Sequence, residues 1–272
     1  MQSSHGISID QTHHIEKTIL QSYFKDTDPN SIYCRKSPFP LENNIEKILF
    51  DALPLTDQAL DDMHQKHNGS LPKWIGCLMH IVVWTRFDLH YAVTRLSGYM
   101  SCPKEPCFMI LHRLMQFLYH HPHYPIFYPR NKSSNISYPF NLSASSKHGK
   151  AEYILSPDKT PTLKSFTDAD QGRDLLDRKA ITSAIWILEG CLIHWICKKQ
   201  TIVGLSSNDT EMMSLLASVK RTNTLRRILL QLGSPQLRPT VICEDNQPLI
   251  AEVLQNRITA NVRHLDIPLA YL

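Results

Sequence analysis

No apolar run in this 272-residue chain approaches the roughly 20 residues that cross a bilayer, so a membrane-spanning helix is not expected. The first residues, Met1-Gln-Ser-Ser-His-Gly6, lack a charged stretch followed by an apolar one, and no secretion signal is legible in them. Seven cysteines, an odd number, therefore read as reduced thiols of an intracellular protein. The Asn-x-Ser triplets at Asn68, Asn131, Asn135 and Asn141 then read as loop sequence. Cys102, Cys107 and His112 lack a fourth partner and fit no zinc spacing. No histidine and acid stand with Ser206 or Ser207 as a hydrolase triad, and neither an internal repeat nor a heptad is present. Charge of one sign is also missing: a formal +4 and a pI near 8.6 permit nucleic acid without requiring it.

What the chain does have is 42% hydrophobic residues, enough for one large core or two ordinary ones. Ile7 to Asp10 alternates like a strand, and Ile15, Ile19, Leu20 and Tyr23 recur at helical spacing. From Asp28 to Asn44 the sequence turns to proline and asparagine and reads as an exposed connection. Three apolar stripes follow, each predicting a helix. They are Trp74, Cys77, Leu78, Ile81 and Val82; then Leu89, Ala92, Val93, Leu96 and Met100; then Phe108, Leu111, Met115 and Leu118. Between His120 and Lys159 only Ile126-Phe-Tyr128 and Tyr153-Ile-Leu155 suggest strands, and 129–160 has linker chemistry.

Beyond the linker the period changes. Leu163 to Asp168, Ala180 to Leu188 and Cys191 to Cys197 are dense in β-branched and apolar residues, with Glu189-Gly190 as a hairpin turn. Glu211 to Leu232 is an amphipathic helix closed by Gly233 and Pro235. Thr240 to Cys243 is a short strand, and Pro248 to Leu254 opens another helix. The expected class is α/β, or α+β overall: a helical region over 1–128, a linker over 129–160, and over 161–272 a mixed sheet with flanking helices.

Asp168 at a strand end, Glu211 at a helix start and Asp245 after a second strand can converge at one sheet edge. Three carboxylates gathered there repel one another unless divalent cations lie between them. Alternation admits only one of Glu244 and Asp245 to such a site, so Glu244 is expected at the surface and Asp170 in a loop. Asn208 or Asp209 can cap the helix, leaving Glu211 for metal. Arg86, Arg95, Lys104, Arg113, Lys198 and Lys199 are candidates for phosphate contacts.

Thr167-Asp-Ala-Asp170, Asp177-Arg-Lys179, Lys198-Lys-Gln200, Leu205-Ser-Ser207 with Thr210-Glu-Met212, and Asp245-Asn-Gln247 occur in one order with short gaps. That order resembles the ribonuclease H domain of copia-type retrotransposon polyproteins. Upstream, Trp84-Thr-Arg-Phe-Asp88, Tyr91-Ala-Val-Thr-Arg-Leu96 and Met100-Ser101 are similar to the segment after the polymerase palm. The resemblance covers 73–128 and 163–267 well and 1–70 weakly. It implies a reverse transcriptase thumb and connection followed by a ribonuclease H domain, with Asp168, Glu211 and Asp245 as ligands of Mg²⁺ or Mn²⁺. It also implies an RNA:DNA hybrid as substrate, the palm and fingers of the parent element as partners, and a cytoplasmic virus-like particle or the nucleus as location. Against that pattern, Gln171 stands where a Trp is usual and the polymerase Tyr-x-Asp-Asp is missing. The fourth ligand Asp, in an Ala-Asp-x-x-Thr-Lys segment beyond His264-Leu-Asp266, is not within the 272 residues. The contrasting expectation is an inactive remnant that binds nucleic acid without sequence preference.

Overall fold

A computed structural model of the chain describes residues 2–40, 45–130, 162–170 and 175–255. Gln171, the triplets at Asn131, Asn135 and Asn141, Tyr153 to Leu155, and His264 to Asp266 lie outside the described residues. The architecture is mixed helix and sheet.

Strand β1 (Gly6–Ile9) leads into a helical segment built of α1 (Thr12–His14), a π-helical stretch (Ile15–Leu20) and α2 (Gln21–Tyr23). Two helices that the sequence reading did not anticipate follow, α3 (Ile45–Asp51) and α4 (Asp57–Lys66). Their apolar residues at helical spacing, Ile45, Ile48 and Leu49 in α3 and Leu60 and Met63 in α4, cover barely one turn each, too short a period to read from sequence. The start of α4 is set by Thr56, whose side chain accepts from the Ala59 amide. The three striped segments are α5 (Leu71–Trp84), α6 (His90–Ser97) and α7 (Glu105–His120). Ser70 caps α5 by accepting from the Lys73 amide, and prolines sit in the first turns of α5 and α7, where no amide hydrogen is needed. Their stripes meet the π-helical stretch in one core containing Ile15, Ile19, Trp74, Leu78, Val93 and Phe108. Met100 falls past the end of α6 and is exposed. The connection before α3 is tied down by Arg35, whose Nε donates to Gln116 at 2.7 Å, and by buried Ile32.

Strand β2 (Ile126–Pro129) pairs antiparallel with β1. The second sheet holds β3 (Leu163–Ala169), β4 (Ile181–Leu188), β5 (Cys191–Lys199) and β6 (Val241–Cys243) in the order β5-β4-β3-β6. The first three are antiparallel neighbours, and β6 is parallel to β3. The β4–β5 turn has positive φ at Glu189 and Gly190, as a two-residue hairpin requires. Helix α8 (Ser207–Gln231) lies along β3 and β4, and α9 (Gln247–Gln255) follows β6.

The helical region touches the second sheet through β5. Trp195 Nε1 donates to the Val82 carbonyl at 2.9 Å, Thr94 Oγ1 to the Cys197 carbonyl at 3.3 Å, and Tyr128 Oη to the Leu192 carbonyl at 2.9 Å. Among the described residues no helix is long and apolar enough to cross a membrane.

Candidate metal centre

A row of small hydroxyl residues sets the geometry of the site. Ser214, Ser218 and Thr222 repeat every four residues, so they share one face of α8. Ser214 Oγ lies 2.8 Å from Thr167 Oγ1 and Ser218 Oγ 3.1 Å from Ser165 Oγ, while Trp186 Nε1 donates to Thr222 Oγ1 at 2.8 Å. All of these side chains but Trp186 are small, so the helix backbone comes close to β3. The hydrogen bonds then fix its register. Ser214 Oγ also donates to the Asp168 carbonyl at 2.7 Å. Glu211, almost one turn earlier on α8, is thereby held beside the C-terminal end of β3.

The start of α8 is fixed independently. Ser206 accepts from the Asp209 amide, and the Asp209 carboxylate accepts from the Leu205 and Ser206 amides, a reciprocal cap. Gln200 Nε2 donates to Thr182 Oγ1 and to the Thr210 carbonyl, joining this turn to β4. With Ser206 and Asp209 engaged in capping, Glu211 has no such duty.

Strand register brings in the third carboxylate. Cys243, the last residue of β6, is level with Phe166 in the parallel β3–β6 pair, so Asp245 just beyond it emerges at the sheet edge where Asp168 stands next to last in β3. The result is a group in which ligand atoms of Asp168, Glu211 and Asp245 all lie within 4.8 Å of one another. It is the single such group of histidine, cysteine or acidic side chains among the described residues. Asp168 and Asp245 are exposed, whereas Glu211 is 6% exposed and its Oε2 is buried without a hydrogen-bond partner.

The electrostatics follow from this crowding. Burial, then the charges of Glu244 and Asp168, push Glu211 up to about 8, against a smaller opposing effect of the Ala169 amide. Asp168 is raised as well, first by burial and then by Asp245. An all-oxygen donor set, close together and short of positive charge, suits a hard divalent cation.

Glu244 departs from expectation. It is half-buried, its Oε1 accepts from the Asp245 and Asn246 amides at 3.1 Å each, and its Oε2 is buried with no partner. The alternation rule does not govern it because β6 ends at Cys243. Asp170 takes the loop position, its Oδ1 accepting from the Ile181 amide.

Three of the basic candidates are turned inward. Arg86 is 1% exposed, donates from Nε and Nη2 to Asp88 and from Nη1 to the His121 carbonyl. Arg95 is buried against Glu46, and Lys104 Nζ donates to the Leu49 and Phe50 carbonyls. Each lies on or beside a helix packed into the core, where a fixed charge must find a partner. Arg113 Nε donates to the Ser37 carbonyl, and Lys199 pairs with Asp177 at 3.0 Å. Lys198 is exposed. All seven cysteines are free, Cys102 exposed and Cys107 buried.

The sequence reading missed Ser214, Ser218, Thr222 and Gln200. For the first three the signal was present as small hydroxyl residues at four-residue spacing on an amphipathic helix.

Comparison with known proteins gives distant relatives. The retrovirus-related Pol polyprotein of transposon TNT 1-94 of Nicotiana tabacum is 23% identical over 265 residues, 97% of this chain and 17% of that protein. The one of transposon RE1 of Arabidopsis thaliana is 28% identical over 172 residues, 63% of this chain and 10% of that protein. The secreted RxLR effector protein 161 of Plasmopara viticola is 27% identical over 141 residues, 52% of this chain and 80% of that protein. The chain thus spans less than a fifth of the transposon polyproteins it matches. No protein-family profile matches the chain, and no solved structure does.

Proposed function

We propose that this chain, similar to retrovirus-related Pol polyproteins of plant transposons, is a segment of a copia-type element that carries a ribonuclease H-type centre. The reaction is hydrolysis of the RNA strand of an RNA:DNA hybrid. The observation that carries this reading is the convergence of Asp168, Glu211 and Asp245 from a strand end, a helix and a second strand end. On this reading the helical region before the linker corresponds to the reverse transcriptase thumb and connection, and the palm and fingers of the parent element are its partners. Its place is the cytoplasmic particle or the nucleus.

Asp168, Glu211 and Asp245 are the residues that would hold Mg²⁺ or Mn²⁺. When bound, such cations activate a water and neutralise charge on the leaving oxygen of a phosphodiester. The chain's own contributions are positional. Ser214 holds the Asp168 backbone, and the small face of α8 holds Glu211 against β3. Exposed Asp168 and Asp245 leave the centre open to a backbone phosphate. Glu211 must release its proton before it can ligate. Lys198, exposed and opposite Thr182 at the same end of the sheet, is the phosphate contact the geometry favours. The inward turn of Arg86, Arg95 and Lys104 weighs against a remnant that binds nucleic acid through its basic helices.

The test is cleavage of a labelled RNA:DNA hybrid by the chain with Mg²⁺ and with Mn²⁺, beside Asp168→Asn. The expected result is at most a trace of RNA-strand cleavage, greater with Mn²⁺ than with Mg²⁺, that the substitution abolishes. Cleavage that Asp168→Asn leaves unchanged would sink the reading.

A further inference from the structure

Glu244 is a carboxylate whose two oxygens do different things. Oε1 accepts from the amides of Asp245 and Asn246, closing a tight loop over the residue that carries one of the three converging carboxylates. Oε2 is shut off from solvent and accepts nothing. A buried carboxyl oxygen without a hydrogen-bond partner is costly, and the protein keeps such a group where something else satisfies it. The neighbouring Glu211, nine-tenths buried with its own Oε2 unpartnered, is the second group in the same condition. Both acids adjoin Asp245: Glu244 accepts from its amide, and Glu211 shares the 4.8 Å group with its carboxylate. Two orphaned oxygens on acids that flank Asp245 call for an external cation.

We propose that Glu244 is a fourth carboxylate of the metal centre: Oε1 braces the loop that presents Asp245, and Oε2, closed off in the metal-free fold, turns to accept from the hydration shell when a divalent cation held by Asp168, Glu211 and Asp245 enters. The inference rests on the metal-centre reading above. Glu244 stands outside the tight three-carboxylate group, which fits an outer role. Divalent cations of this kind, Mg²⁺ above all, retain several waters, and those waters need acceptors. Outer partners of this sort set ligand orientation and affinity.

The experiment is calorimetric titration of the 272-residue chain with Mn²⁺, comparing wild type with Glu244→Gln, Asp168→Asn and the remote exposed control Asp61→Asn. Gln keeps a carbonyl oxygen for the two loop amides, so melting in EDTA stays at the wild-type temperature. Glu244→Gln weakens Mn²⁺ binding by about 10- to 100-fold, Asp168→Asn abolishes it, and Asp61→Asn leaves it unchanged. Wild-type affinity in Glu244→Gln, with binding still lost in Asp168→Asn, overturns the inference and leaves the three-carboxylate centre standing. No Mn²⁺ uptake by wild type, or uptake that Asp168→Asn does not alter, overturns the centre itself. Should Glu244→Gln fail to fold, the side-chain carboxyl carbons of wild type are followed by NMR during Mg²⁺ addition. Two glutamate resonances shifting supports the inference, and one alone overturns it.

Discussion

Glu211 sets the pH behaviour of the site. Its carboxyl is held near 8 in the fold and falls back to its ordinary 4.5 when the chain unfolds. Between those values the folded state binds a proton that the unfolded state has released, so stability of the metal-free protein falls as pH rises from about 4.5 to about 8. Each tenfold change in that preference is worth about 1.4 kcal/mol. Glu211→Gln is therefore expected to flatten the fall, with thermal melts in EDTA at pH 5 and pH 8.5 as the check. A mutant curve parallel to wild type would contradict it. Metal uptake has the opposite sign, strengthening as pH rises, because the cation competes with the proton on Glu211.

The basic residues divide at the same scale. Arg86→Ala strips the partner from half-buried Asp88 and from the His121 carbonyl, and breaking such a buried pair costs about 3–5 kcal/mol. Lys198→Ala costs under about 0.5 kcal/mol of stability, as an exposed site does, and weakens binding to an RNA:DNA hybrid more at low salt than at high salt. Denaturant melts and binding isotherms at two salt concentrations separate the two. An unchanged melt for Arg86→Ala would return that residue to the surface.

Among the elements, α8 has the most consequence for the site. Its hydroxyl face brings the helix close to β3, and a larger side chain there must push it away. Ser218→Leu is expected to cost about 1–3 kcal/mol, the usual penalty of overpacking, and to weaken Mn²⁺ binding because Glu211 moves with the helix. Ser206→Ala removes one half of the cap and costs about 1 kcal/mol, without shifting the helix on the sheet. Loss of metal binding in Ser206→Ala but not in Ser218→Leu would reverse this assignment. Legibility differed between elements for a physical reason. Segments that bury a stripe, such as α5 and α7, announce themselves by period, whereas α3 and α4 add only a few residues to the shared core.

In the whole molecule, the helical region and the second sheet meet on β5, through Trp195, Thr94 and Tyr128. Trp195 is the largest of these contacts and also packs against the Phe87 ring, at 5.7 Å between centroids. Trp195→Ala is expected to split one unfolding transition into two, seen by calorimetry. A single transition at lower temperature would mean that the coupling runs elsewhere.

The linear sequence by itself determined the period switch after residue 160, the strand-strand-strand-helix-strand-helix order, and the three acids at its turning points. These are local matters: side-chain period, caps and turn chemistry act within a few residues. The tertiary structure alone decided which charges face inward, because Glu46 for Arg95, the Leu49 and Phe50 carbonyls for Lys104 and the His121 carbonyl for Arg86 all lie on distant segments. It alone placed Glu244, because the end of β6 at Cys243 releases the next residue from alternation. Above all it decided how near Glu211 comes to Asp168, which depends on one helix face of small hydroxyls meeting another on β3, and no single segment carries that distance.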